Sequence, residues 1–177
     1  ETITNPVTSQ STSGCFDVLN PGTFDIVVDV VSGVSCFGEP DGQITIATVG
    51  DTGPYLYDWS GGLADGTPTQ TMLPGGSYGV TVTDDNGCIR SLENITVGEP
   101  DVVNIRGQLT NITNSPGRID ATVTGGRMPY QYSWSGPESF TSDQEDIEPG
   151  VAGTYCLTAI DNSNCSDIQC FAIIRAL

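Results

Sequence analysis

Pro129-Tyr-Gln-Tyr-Ser-Trp-Ser135 decides how this chain folds, because Pro54-Tyr-Leu-Tyr-Asp-Trp-Ser60 nearly duplicates it. The offset is 75 residues, Trp134 against Trp59. In both copies the aromatics stand two apart: Tyr55, Tyr57 and Trp59, then Tyr130, Tyr132 and Trp134. Period two places three rings on one face of a β-strand. A duplicated aromatic strand behind a proline means that the chain is built from copies of one module.

Working outward, the offset holds in both directions. Gly117-Arg-Ile119 answers Gly42-Gln-Ile44, and Pro149-Gly150 answers Pro74-Gly75. Beyond that it becomes 77 (Tyr155 against Tyr78, Asp161 against Asp84, Cys165 against Cys88), so two residues are inserted near Val151-Ala152. Between the landmarks lie short alternating runs such as Gln43-Ile-Thr-Ile-Ala-Thr-Val49 and Ser77-Tyr-Gly-Val-Thr-Val-Thr83. Asp84-Asp-Asn-Gly87 is a hairpin turn whose residues tolerate positive φ. Short strands with turns every ~8–12 residues predict an all-β chain of two tandem immunoglobulin-like sandwiches. Their expected bounds are residues 25–100 and 101–177, behind an extended N-terminal segment, residues 1–24. Trp59 and Trp134 are expected as core anchors, with Tyr57, Tyr78, Tyr132 and Tyr155 beside them, since buried rings dominate small β cores. The polar lead-in carries two strand-capable pieces, Cys15-Phe-Asp-Val-Leu19 and Phe24-Asp-Ile-Val-Val28. It reads as a donor strand or as the end of a preceding repeat.

Composition narrows the function. Of 177 residues, 22 are acidic against five arginines, with no lysine or histidine, for a net charge of −17. Nucleic-acid binding needs a positive footprint, and so does docking on an anionic membrane. No apolar run approaches the ~18–20 residues of a membrane span. Six cysteines without CxxC spacing and without histidine fit disulfides, hence a secreted, extracytoplasmic setting. The start at Glu1 suits a processed or excerpted chain. Without histidine there is no Ser-His-Asp or Cys-His machinery, and without lysine no Schiff base or Lys-Asn cross-link. Most carboxylates fall in turns, where they serve the backbone. Asn94-Ile-Thr, Asn111-Ile-Thr and Asn164-Cys-Ser match the N-glycosylation pattern, which arises easily in a threonine-rich chain.

The run Cys36-Phe-Gly-x-x-Asp-Gly42, Pro54-Tyr-x-Tyr-x-Trp-Ser60, Leu73-Pro-Gly-Gly-Ser-Tyr78 and Val80-Thr-Val-Thr-Asp-Asp-Asn-Gly-Cys88 closely resembles the SprB repeat. That repeat occurs in large secreted surface adhesins of Bacteroidetes, gliding-motility adhesins among them. The second module keeps Gly125-Gly126, Pro129 to Ser135, Gly153-Thr-Tyr155 and Cys165. It departs at Asn111, where the first cysteine of the pattern is expected, and adds Cys156 and Cys170. The resemblance implies a non-enzymatic β-sandwich used in adhesion or surface fibres, and names no ligand.

Six cysteines allow 15 pairings. Aligning the modules on the repeat implies Cys36 with Cys88. Cys156 and Cys170 lie symmetrically about Ser163 at a hairpin tip, with Tyr155 facing Phe171 on the same register. A cross-strand disulfide fits that geometry. Cys15 and Cys165 remain, either within one chain, with Cys15 joined to a preceding repeat, or as a bridge between subunits.

No catalytic residue and no cofactor is expected. Calcium is the one metal considered, at Asp84, Asp85, Asp161 and Asp167, where hard oxygen ligands gather at hairpin tips. Neither loop has the ligand spacing of an EF-hand. The expected function is therefore structural or adhesive: part of a cell-surface adhesin or of a self-assembling extracellular filament, a homopolymer or tandem array. A carbohydrate-binding module recognising a surface polysaccharide is the alternative, and it needs an exposed aromatic platform.

Overall fold

A computed structural model describes residues 10–12, 24–50, 53–113 and 116–176, the first of these as backbone only. The remainder of the N-terminal segment, Cys15 included, lies outside the described residues. Contacts divide the chain into two compact units, the first ending at Glu99 and the second beginning at Pro100.

The first unit holds β1 (Gln10–Thr12), β2 (Asp25–Ser32), β3 (Gly42–Val49), β4 (Tyr55–Trp59), β5 (Thr69–Leu73), β6 (Gly76–Asp84) and β7 (Ile89–Val97). One sheet runs β2-β3-β5, the other β1-β7-β6-β4. The pairings in both are antiparallel. Setting β1 aside, this is the strand division of an immunoglobulin-like sandwich, with the aromatic strand β4 in the position of strand C. β3 shows why the sequence folds this way: Gly42, Ile44 and Ile46 are buried, while Gln43 and Thr45 between them are only half-buried. Alternation turns one face of each strand inward, and Phe24, Ile44, Trp59, Leu73, Val80, Val82 and Ile95 form the core.

The second unit repeats the plan with β8 (Asn104–Thr110), β9 (Arg118–Thr124), β10 (Gln131–Ser135), β11 (Thr141–Ser142), β12 (Gly153–Ile160) and β13 (Ser166–Ile173). β8 pairs with β9, and the second sheet runs β11-β10-β12-β13. A lone bridge, Ile119 to Ile147, stands where the first unit has β5. Here the core is built on Ile105, Ile119, Ala121, Trp134, Tyr155, Leu157 and Ile173. No described residue lies in an α-helix, and among the described residues no helix is long and apolar enough to cross a membrane.

In β12 and β13 the register puts Cys156 opposite Cys170 and Tyr155 opposite Phe171. The two cysteines are disulfide-bonded, with Cα atoms 4.0 Å apart. Cys36, Cys88 and Cys165 are disulfide-bonded as well.

The expected Cys36–Cys88 pairing does not fit this fold. The Val34 N–H donates to the Gly98 carbonyl at 2.9 Å, and the Gly38 N–H donates to the Glu99 carboxylate at 2.8 Å. Cys36 therefore stands beside the C-terminal end of β7, whereas Cys88 immediately precedes its N-terminal end. A strand rises about 3.3 Å per residue, so β7 holds them well over 10 Å apart, and a disulfide needs Cα atoms within roughly 7 Å. The two share a module and a spacing pattern, but not an end of the sandwich. Peptide mapping of the oxidised chain is expected to yield no fragment linking Cys36 to Cys88; recovering one would overturn the strand assignment of β7.

Candidate functional site

The duplicated stretch forms β4 and β10, each entered through a cis X-Pro bond, Gly53–Pro54 and Met128–Pro129. Its tryptophans end inside the two cores. Trp59 is 3% exposed and Trp134 1% exposed. Each indole N–H, which burial would otherwise leave unpaired, finds a carbonyl. Trp59 Nε1 donates to Thr67 O at 2.8 Å, and Trp134 Nε1 to Gln144 O at 2.9 Å. Phe171 packs on Trp134 with ring centroids 5.9 Å apart. Neither indole face is left for a sugar.

The tyrosines divide. Tyr155 is buried, while Tyr57, Tyr78 and Tyr132 are half-buried and pack against the edges of the cores, not at their centres. Tyr78 and Tyr155 share a role that their alignment does not announce. Tyr78 Oη donates to Pro74 O at 2.7 Å, and Tyr155 Oη to Val151 O at 2.8 Å, each four residues upstream. This is the tyrosine corner of immunoglobulin-like sandwiches, which ties the strand to the loop that feeds it. Replacing Tyr155 with Phe leaves the Val151 carbonyl unpaired and is expected to cost about 1–2 kcal/mol in urea denaturation. Tyr78→Phe should cost less, because its hydroxyl is closer to water. Equal, negligible losses would show that the corner contributes nothing.

The hairpin carboxylates are the second feature. Asp84 Oδ1 accepts the N–H groups of Asn86 at 2.9 Å and Cys88 at 2.7 Å. Asp161 Oδ1 accepts those of Ser163 at 2.8 Å and Cys165 at 2.9 Å. Its second oxygen accepts the Arg127 N–H at 2.7 Å. Both side chains are buried. For Asp161, burial by itself pushes the carboxyl up. The N–H donors of Arg127, Cys165 and Ser163, with the Arg127 charge, outweigh it and hold the group below the ordinary aspartate value. The loop before β10 fits closely against this carboxylate: Gly126 has φ 59°, and a Cβ there would meet Asp161 Oδ2 at 2.5 Å.

Of the aspartates expected as calcium ligands, Asp84 Oδ1 and both Asp161 oxygens are thus engaged by backbone donors, while Asp84 Oδ2 is buried without a hydrogen-bond partner. Asp167 is engaged likewise, its Oδ2 accepting the Ile105 N–H at 3.0 Å and so fastening β13 to β8. Asp85 lies exposed at the turn. An oxygen that accepts N–H bonds presents its lone pairs to donors, which compete with a cation for them. Among the described residues no three His, Cys, Asp or Glu side chains converge as a metal site. The sequence signal for bracing was the hairpin turn itself: Asp at the first turn position bonds the N–H two residues on, the ordinary Asx turn.

Aromatic surface persists at one place in the second unit. Met128, Pro129, Tyr130 and Tyr132 line a shallow depression, with Met128 76% exposed. Tyr130 and Tyr132 lie 6.4 Å apart by centroid, and the Tyr130 hydroxyl donates to Gly125 O. Burial raises the Tyr132 phenol, and the neighbouring Glu145 carboxylate adds to the effect.

A tryptophan sunk in the aromatic strand, a tyrosine corner and an aspartate-braced hairpin therefore recur in each unit. Both units match the SprB repeat. The family model aligns with residues 28–64 and 112–139, which hold the two aromatic strands. The SprB match in the second unit covers Asn111's neighbourhood from Ile112 onward, although the cysteine of the pattern is absent there. Asn111 instead accepts the Ile174 N–H on its side-chain oxygen at 3.1 Å, fastening the last strand. No curated protein matches the chain. Among solved structures, the C-terminal 282-residue fragment of intimin, crystallised with the intimin-binding domain of the translocated intimin receptor, aligns at 14% identity with a TM-score of 0.39. The alignment covers 84% of this chain and 63% of that fragment, so the chain spans less than two thirds of it.

Proposed function

We propose that this chain is a non-enzymatic, structural and adhesive part of a secreted cell-surface protein, a tandem pair of SprB-type sandwiches. The observation that carries the reading is how the modules use their most reactive-looking residues. Both tryptophans are consumed in the cores, and Asp84 and Asp161 hold hairpins. What remains outside is an acidic surface at net charge −17, suited to solubility and to spacing along a fibre. No cofactor belongs to this reading. Chelation with EDTA should shift the melting temperature little, and a large drop restored by calcium alone would overturn that part.

The finer form of the proposal is assembly: copies of the chain, or repeats of a longer one, build an extracellular filament. A Cys15–Cys165 bridge between subunits is the covalent form of that assembly. Cys165 is disulfide-bonded, and Cys15 lies outside the described residues. Non-reducing electrophoresis of native material tests the bridge, a ladder that collapses with reductant supporting it and a single monomer band contradicting it. Negative-stain microscopy of native material tests assembly, with filaments expected and monodisperse particles contradicting it. Cell-binding assays with the purified chain test adhesion separately.

A surface polysaccharide as ligand is a second reading, favoured only by the Met128–Tyr132 depression, since the tryptophans cannot serve as the platform. Tyr130→Ala and Tyr132→Ala together should abolish retention on a polysaccharide column if that depression binds sugar. Unchanged retention would exclude it.

A further inference from the structure

In the first unit, β1 lies along the outer edge of β7, with Gln10 opposite Leu92, Ser11 opposite Ser91 and Thr12 opposite Arg90. The second unit has the same strand but not the same cover. Register gives the equivalence. Val82 faces Arg90 and Val80 faces Leu92 in the first unit, and Ala159 faces Asp167 and Leu157 faces Gln169 in the second, each 77 residues on. β13 is the end strand of its sheet, and among the described residues no further strand is laddered to its outer edge at Asp167–Gln169. There the Asp167 side chain reaches the Ile105 N–H of β8 with Oδ2 at 3.0 Å and accepts the Ile168 N–H on Oδ1 at 2.8 Å. Burial agrees with an open edge. Arg90 and its counterpart Asp167 are both half-buried, but Ser91 is half-buried where Ile168 is 62% exposed, and Leu92 is 3% exposed where Gln169 is exposed.

We propose that the β13 edge at Asp167–Gln169 accepts, by antiparallel strand addition, the segment Gln10–Thr12 of a second copy of this chain. An end strand offers a row of unpaired N–H and C=O groups, and another extended chain satisfies them. β13 contains no proline and no lysine and carries an exposed isoleucine at the relevant position. The Ile168 N–H, which donates to Asp167 Oδ1 at 2.8 Å, exchanges that partner for the incoming segment. The occupant is chosen by precedent within the molecule, because the same three residues already pair with the matching strand of the first module. Exchange of that segment between copies joins the front of one chain to the back of another. Such a contact is heterologous and propagates without closing. The inference rests on the assembling form of the function proposed above and names its contact.

Two variants of the full chain test it by sedimentation velocity and hydrogen exchange. Gln10→Pro with Ser11→Pro removes the backbone donors of the segment, whichever of the two N–H groups faces the partner. Ile168→Lys places a charge on the exposed acceptor edge without touching the core. The wild-type chain is expected to associate with rising concentration, slowing exchange of the amides of Asp167–Gln169 at least tenfold. Each variant alone should lose association at least tenfold. Ile168→Lys should keep its circular dichroism and melting curve, whereas the proline variant, which also loses the β1–β7 pairing of its own first unit, should keep its circular dichroism and the transition of its second module. Mixed together they should form a one-to-one pair and stop, since each supplies what the other lacks. A wild-type chain that stays monomeric overturns the proposal, even if it still adheres to cells, which leaves the adhesive reading standing. Association lost in Ile168→Lys but retained in the proline variant, with no pair on mixing, overturns it in favour of β13 pairing with its own kind.

Discussion

Trp134→Ala should destabilise the second module by about 3–5 kcal/mol, the usual cost of emptying a large aromatic site in a core. The indole is 1% exposed, packs on Phe171 and donates to Gln144 O. Truncation thus removes buried area and also leaves that carbonyl unpaired. Urea denaturation followed by circular dichroism reads the loss, because Trp59 continues to report by fluorescence on the first module. A loss below about 1 kcal/mol would mean that the ring does not sit in the core. The first module's transition should stay where it was, since the two cores share no residue. A single merged shift would show that the modules do not unfold separately.

Asp161→Ala is expected to rank next, at about 3 kcal/mol at neutral pH, because three backbone N–H groups lose a buried, charged acceptor together. The effect should depend on pH in one direction only. The folded carboxyl lies below the ordinary aspartate value. Its contribution is therefore complete above the unfolded value of about 3.9 and disappears as pH falls through the lower folded one. The stability gap between wild type and Asp161→Asn should accordingly be widest near neutrality and shrink below about pH 4. The other acidic residues titrate in both proteins, so the difference isolates this group. A gap that stays constant into strong acid would show that the carboxylate charge plays no part.

The sequence by itself determined the repeat, the strand period and one disulfide, for a common reason: all are local. Alternation two residues apart places Tyr132 and Trp134 on one face whatever surrounds them. A hairpin's register follows from its turn, so symmetry about Ser163 was enough to set Cys156 against Cys170. Burial of the tryptophans followed almost as directly, since each module holds one tryptophan on the apolar face of its aromatic strand and a buried ring dominates a small β core. What the tertiary structure alone decided concerns partners far apart in sequence. Cys36 and Cys88 belong to one motif, yet β7 holds them at opposite ends, and spacing carries no sign of which end a loop returns to. That Asp161 braces two segments at once was not legible, because the Arg127 loop, 34 residues away, brings an N–H to its second oxygen. Composition could not show that β1 lies along the edge of β7 while, among the described residues, no strand lies along the matching edge of β13. An edge exists only once a sheet is assembled, and its exposure depends on which chain segment happens to lie alongside.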